Sequence, residues 1–391
     1  MTTVLKPYLH VRLRITCRSP FYPPALKSAY SSWVETIREG LDRGSMAEGH
    51  EGEKQNGKGK GMKYADVGIN LTDPTYQGFY NHHTTPSHPA DLSSVLARAA
   101  AIGVRKFMVT GSDLAQSQQA IDLAKRYPGR CYATVGVHPC AANSFEEEDE
   151  GGRGGGGGEA LLETLEAVAR EGVRGGWVVA FGEIGVDFDR LGLVGREVQE
   201  RWFGRQVEVA VKLQLPLFLH SRAAHESFLR ILTPHLPSLP LRGLVHSFTG
   251  TLPEMQALVA LGFHIGINGC SLKTAENLDV VKAVPLANLQ LETDGPWCEI
   301  RPSHAGFKVL AAAGEEGEEG DGGMWKKVKK EKWEEGRMVK GRNEPCEIWK
   351  VARVVAGVKG VGVEEVMEWA WRNSVGMFGL GGEEEEEAAS R

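Results

Sequence analysis

The chain has 391 residues, 41% of them hydrophobic and 25% charged, with a formal net charge of −6. That length buries a full core in one large or two medium domains, and the near-average charged fraction argues against wholesale disorder. No apolar run reaches the roughly 18 residues a membrane span needs, the six cysteines show no CxxC spacing, and the mild acidity gives no global nucleic-acid signature.

Residues 1–63 read as an N-terminal extension. Up to Ser32 it has five basic residues (Lys6, Arg12, Arg14, Arg18, Lys27) and no acidic one, the composition of a mitochondrial presequence; a plain unstructured extension fits as well. Residues 47–63 form a polar, Gly-rich linker. From 64 onward the sequence alternates. Short β-branched or apolar runs at 65–71, 106–110, 132–137, 178–183, 217–220, 243–246, 264–267 and 289–292 predict strands. Helical periodicity at 92–101, 114–126, 160–171, 197–212, 224–232, 253–261 and 275–283 fills most of the gaps, and 346–355 and 363–371 follow the last strand. Low-complexity inserts at about 146–159 and 311–340 interrupt a body that spans 64–380, and 381–391 is an acidic tail expected to be disordered. Alternation of this kind predicts a (β/α)8 TIM barrel, with a doubly wound open sheet as the alternative.

In such a barrel, reactive side chains project from the C-terminal strand ends. Those ends carry His138, Glu183, His220, His246 and Asp294, from the third, fourth, fifth, sixth and eighth strands. Imidazoles with carboxylates that can bridge cations are the donor set of a hydrolytic metal centre. Arg222, two residues past His220, is placed to clamp a phosphate, or else to form an ion pair at the rim. The segment 325–342 has eight basic residues against three acidic, with Trp325 and Trp333. It reads either as a DNA contact or, preferably, as a solvated loop that one tryptophan anchors. His82, His83 and His88 lie in a Thr- and Pro-rich loop and read as facing water. No GxSxG elbow is present, and the Gly52–Lys58 stretch lacks the strand and the Ser/Thr of a phosphate loop.

Eight segments carry a family resemblance: DVGINLTDP (66–74), VGVHP (135–139), FGEIGVDFDR (181–190), LPLFLHSR (215–222), GLVHSFTG (243–250), IGINGCSLKT (265–274), ETDGPWC (292–298) and GRNEP (341–345). In this order they resemble the TatD-type deoxyribonuclease family, above all its eukaryotic branch. The resemblance implies a barrel of the metal-dependent hydrolase type. Glu183 would bridge two divalent cations, His220 and His246 would complete the shell of one, and Asp294 would bind the other and help activate the attacking water. His138 matches a family histidine near the scissile phosphate. Asp294 and His138 are thus the expected catalytic residues, and His138 and Arg222 the expected substrate contacts.

Departures from the pattern bear on the cofactor. Gly68 and Asn70 stand where many barrels of this type carry the two histidines of Asp-x-His-x-His. The oxygen-rich coordination that is left suits Mg²⁺ or Mn²⁺, one or two per chain. Cys140 stands where some members have a second histidine, and Gly295 where alanine is commoner. The expected activity is divalent-metal-dependent hydrolysis of DNA, 3′ to 5′. A different, amidohydrolase-like hydrolase and a catalytically silent nucleic-acid-binding barrel are the alternatives. DNA is the expected partner, with no membrane and no obligate protein partner indicated. The unpaired cysteines suit a reducing intracellular compartment, cytoplasm or nucleus, or mitochondria if the extension is a presequence.

Overall fold

Strands covered on both faces need apolar side chains at nearly every position, which is why the short runs read as continuous rather than alternating. In the computed structural model, which describes residues 63–81, 83–147, 157–312 and 325–381, those runs are β1 (Tyr64–Ile69), β2 (Val104–Val109), β3 (Cys131–Val135), β4 (Val178–Asp187), β5 (Leu217–Arg222), β6 (Gly243–Val245), β7 (His264–Ile267) and β8 (Leu289–Leu291). They pair in parallel in sequence order. Beyond the end of β8 the chain returns to β1: the Asp294 N–H donates to Gly68 O at 2.7 Å and the Asn70 N–H to Gly295 O at 2.9 Å. Consecutive order with this closure is the (β/α)8 barrel, and it excludes the open sheet.

Helices α1 (Leu92–Ala101), α2 (Leu114–Arg126), α3 (Gly157–Arg174), α4 (Arg196–Leu213), α5 (His225–Leu232), α6 (Leu252–Ala260), α7 (Ala275–Ala283), α8 (Ala305–Ala312), α9 (Ile348–Lys359) and α10 (Val363–Phe378) surround it. Their start signals are local. Asp113 caps α2 by accepting from the Gln116 N–H at 2.7 Å, and Thr251 with Glu254 forms a capping box on α6. The two ends of the barrel differ. At the N-terminal end, Val67, Met108, Phe218 and Leu244 pack with Met377, Phe378 and Leu380 from the end of α10 and the residues after it, and the Tyr132 hydroxyl donates to Leu380 O at 2.6 Å. That end is plugged, so the chemistry has one open mouth.

Several boundaries differ from the sequence expectation. β4 runs four residues past Glu183, to Asp187, and β6 ends at Val245, which leaves His246 on the loop that follows. Helix α8 was not expected. The segment 325–340 is more than a loop. It forms a short parallel pair, β9 (Lys327–Val328) with β10 (Met338–Val339), and buries Met338 and Val339. His88 is buried, not water-facing: it bonds the Tyr80 hydroxyl at 2.8 Å, and Trp333 stacks on it at 5.6 Å between ring centroids. Trp333 also donates to Asp91 Oδ2 at 3.3 Å, which is the tryptophan anchor the sequence suggested. The N-terminal extension and linker up to residue 62, the tail from 382, His82, and the Gly- and Glu-rich tracts at 148–156 and 313–324 lie outside the described residues. Among the described residues, no helix is long and apolar enough to cross a membrane.

Behind this anchor lies a buried ionic network. Arg342 reaches both oxygens of Asp91 at 2.8 and 2.7 Å and Glu344 Oε1 at 2.9 Å, while Arg98 closes on Glu344 Oε2 at 2.8 Å. Removing these charges from water is costly, and their mutual hydrogen bonds offset much of that cost, although Arg342 Nε is buried without a partner among the described residues.

Candidate metal centre

Glu183 is buried on β4, and its Oε1 lies 2.8 Å from His246 Nε2, 2.9 Å from His220 Nδ1 and 3.4 Å from His138 Nε2. Each imidazole is oriented from behind. His220 Nε2 is 3.2 Å from Asp187 Oδ2. His246 Nδ1 is 3.3 Å from Glu292 Oε2, and Glu292 is held in turn by the Ser247 N–H and by Asn268 Nδ2. His138 Nδ1 accepts the Cys140 N–H at 3.1 Å, which turns Nε2 toward Glu183. Partners of this kind fix tautomer and ring direction, as they do for histidines that hold metals.

The electrostatics follow from burial and proximity. Burial alone would raise the Glu183 pKa, but the charges on His246 and His138 and the bonds from His220 and His246 hold it well below the usual range. Burial opposes charge on His246 too; Glu183 and Glu292 overcome it and raise its pKa well above the ordinary value. His220 is raised, against burial, by its bonds to Asp187 and Glu183. For His138 burial wins and the pKa falls to about 4. The buried Glu183 carboxylate thus favours positive charge beside it, which a divalent cation would supply. His138, Glu183 and His220 offer ligand atoms that all lie within 4.8 Å of one another. Imidazole nitrogens beside carboxylate oxygens fit a divalent cation.

Asp294 lines the same cavity, of about 450 Å³, as His138, Glu183, His220, Arg222 and His246. Its Oδ1 accepts from Asn70 Nδ2 at 3.0 Å and its Oδ2 from the Cys298 thiol at 3.2 Å, and burial pushes its pKa up to about 7. The preceding residue is braced by Asp66, which accepts from the Thr293 N–H at 2.9 Å and from its hydroxyl at 2.5 Å, and by Asn343 Nδ2, which donates to Thr293 O at 2.9 Å. Asn70 thus stands at a histidine place and serves the carboxylate instead. A histidine at Gly68 would have to displace Glu292, since a Cβ there would lie 2.5 Å from Glu292 Oε2. At Gly295 a Cβ would meet the Tyr76 hydroxyl at 2.8 Å and Asn343 O at 3.0 Å, so the commoner alanine does not fit.

Arg222 is half-buried at the end of β5, with a long 3.5 Å bond to Ser247 O. Among the described residues no carboxylate forms an ion pair with it, so the rim ion pair is not formed. Sequence reasoning assigned no role to Asp187 and Glu292. Glu183 and Asp187 are four apart on one strand and share a face, a signal hidden by ending that strand at Glu183. It also passed over Trp297, which lines the cavity and is 58% exposed. Among the described residues, the other large hydrophobics with high exposure, Leu191, Leu193 and Leu252, lie on the segments that follow β4 and β6, at the same end of the barrel.

A parallel eight-stranded barrel with imidazoles and carboxylates gathered in one cavity at its open mouth defines a TIM-barrel hydrolase. The family model described as TatD related DNase matches residues 66–379, and the chain belongs to that family. It is 46% identical over 320 residues to a Schizosaccharomyces pombe protein named Deoxyribonuclease Tat-D, with 82% of this chain and 96% of the relative covered. A Pantoea protein named 3′-5′ ssDNA/RNA exonuclease TatD is 37% identical over 242 residues, 61% of this chain and 82% of the relative. Among solved structures, a TatD family hydrolase from Entamoeba histolytica superposes with a TM-score of 0.72 at 30% identity, over 83% of this chain and all of that one.

Proposed function

We propose that the chain is a divalent-metal-dependent deoxyribonuclease that shortens DNA from its 3′ end, with the barrel of 64–380 as its catalytic unit. The observation that carries this reading is the approach of three imidazoles to Glu183 Oε1, at 2.8, 2.9 and 3.4 Å, in the cavity that also holds Asp294. Glu183, His220, His246 and Asp294 would hold the cations. When bound, these lower the pKa of a coordinated water and neutralise charge on the phosphate. The filled space at Gly68 and the diversion of Asn70 to Asp294 leave a second cation mainly oxygen donors, which favours Mg²⁺ or Mn²⁺. The same lack of strand-one histidines weighs against the amidohydrolase reading.

The protein groups divide the remaining work. Asp294, with its raised pKa, suits taking a proton from the attacking water. His138 stays neutral near pH 7, and its Nε2, which faces Glu183 and His220, would have to turn from them to meet the scissile phosphate beside the cations. Arg222 clamps a phosphate oxygen. Trp297 offers a stacking face to an unpaired base, which suits single strands. The 3′ to 5′ direction is carried over from the name of the Pantoea relative.

The test uses single-stranded DNA labelled at its 5′ end, with Mg²⁺, Mn²⁺ or EDTA and with Glu183→Ala as control. The expected result is a ladder that shortens from the 3′ end and is lost with EDTA and in the variant. A folded, cation-loaded protein that cleaves nothing would instead favour the silent nucleic-acid-binding barrel.

A further inference from the structure

Two cysteines meet inside the cavity mouth. Cys270 Sγ and Cys298 Sγ are 2.7 Å apart as free thiols, and both side chains are half-buried and line the cavity. Backbone structure brings them together. Cys270 lies in the turn Gly269–Leu272 after β7, with its N–H donating to Asn268 Oδ1 at 2.8 Å. Cys298 follows the turn in which the Trp297 N–H donates to Asp294 O at 2.9 Å. The two segments touch so closely that a Cβ on Gly269 would lie 1.9 Å from Cys298 O. The other described cysteines are unlike this pair: Cys131 and Cys346 are buried, and Cys140 is directed toward Asp187 at 3.9 Å.

We propose that Cys270 and Cys298 are a redox modification site, joined by hydroperoxides into a disulfide that loosens the hold on Asp294 and weakens cation binding. The regulatory meaning of this rests on the function proposed above. In the first step one thiol sulfur attacks the peroxide oxygen, the O–O bond breaks, and a sulfenic acid forms with release of water or an alcohol. The second sulfur then displaces the sulfenic hydroxyl, which leaves as water. Overall, two thiols and one ROOH give one disulfide, one ROH and one water: the sulfurs lose two electrons and the peroxide gains them. Bonding brings the sulfurs to about 2.05 Å, a small movement from their present separation. The disulfide has no S–H, so Asp294 Oδ2 loses the donor now at 3.2 Å and retains only Asn70 on its other oxygen. A ligating carboxylate that loses a partner orienting it is expected to hold its cation at least about tenfold more weakly.

The full chain is stripped of metal, treated with hydrogen peroxide and then with catalase, and digested without reductant. A peptide joining residues 270 and 298 is expected, and so is Mn²⁺ binding weakened at least about tenfold and restored by dithiothreitol. Cys270→Ser should form no such peptide and should keep its own Mn²⁺ affinity through the same treatment. Oxidation confined to separate, unlinked thiols overturns the proposal, as does a linked protein whose Mn²⁺ affinity is unchanged. Both readouts are independent of DNA cleavage. A reduced protein that binds Mn²⁺ but leaves DNA intact would count against the proposed function alone.

Discussion

Asp187 is not among the residues that line the cavity, yet its Oδ2 lies 3.2 Å from His220 Nε2 and sets the direction of the ring whose Nδ1 faces Glu183. Replacing it with asparagine keeps the shape and removes the charge. Asp187→Asn is expected to weaken Mn²⁺ binding by about 10- to 100-fold with the fold unchanged, checked by metal titration beside circular dichroism. Residues of this sort are the ones the sequence conceals. His138, Glu183, His220 and His246 could be found because a barrel puts strand-end side chains in its mouth. Asp187 and Glu292 bear on imidazoles from other segments, His220 on β5 and His246 after β6, and a strand boundary misjudged by four residues hides the first. Asn70 was legible only as a missing histidine; its bond to Asp294 depends on a pairing across 224 residues.

At the scale of elements, the GRNEP segment acts as a clamp between the loop after β1 and the return from β8. Arg342 neutralises Asp91 and Glu344 in the interior, and Asn343 holds Thr293 directly before Asp294. Arg342→Leu leaves two buried carboxylates with only Arg98 and is expected to cost about 3–5 kcal/mol, measured by urea denaturation. A loss below about 1 kcal/mol would mean that water reaches the network. The segment stood out as a motif in the sequence, but its partner Asp91 is 251 residues away, and no local pattern reports that contact. The alternation of strands and helices, by contrast, was legible almost throughout, because periodicity and caps are local properties.

For the whole molecule, the plugged N-terminal end and the exposed Trp297, Leu191, Leu193 and Leu252 at the opposite end give the barrel one working face. The basic segment is strapped beside that face: Trp333 lies against His88, and Lys327 is paired with Glu299 at 2.8 Å and Glu347 at 3.3 Å. None of its residues lines the cavity. Neutralising the exposed Lys329, Lys332 and Lys340 to glutamine should therefore leave the salt dependence of KM for single-stranded DNA unchanged, whereas Trp297→Ala should raise KM by about tenfold. A flatter salt slope in the lysine variant would turn the strap into a DNA contact.

The crowding of Gly68 against Glu292 also restricts which sequences this barrel can reach. A histidine restored at 68 would strike a carboxylate that His246, Ser247 and Asn268 hold in place, while shortening Glu292 alone would take a partner from His246. Each change is harmful by itself, and the second relieves the clash caused by the first. Gly68→His and Glu292→Ala should therefore destabilise less together than the sum of their separate effects, as a double-mutant cycle in urea would measure. A histidine at 68 thus lies across a valley of two steps rather than one, and a nitrogen-rich second cation site would need a further change at Asn70.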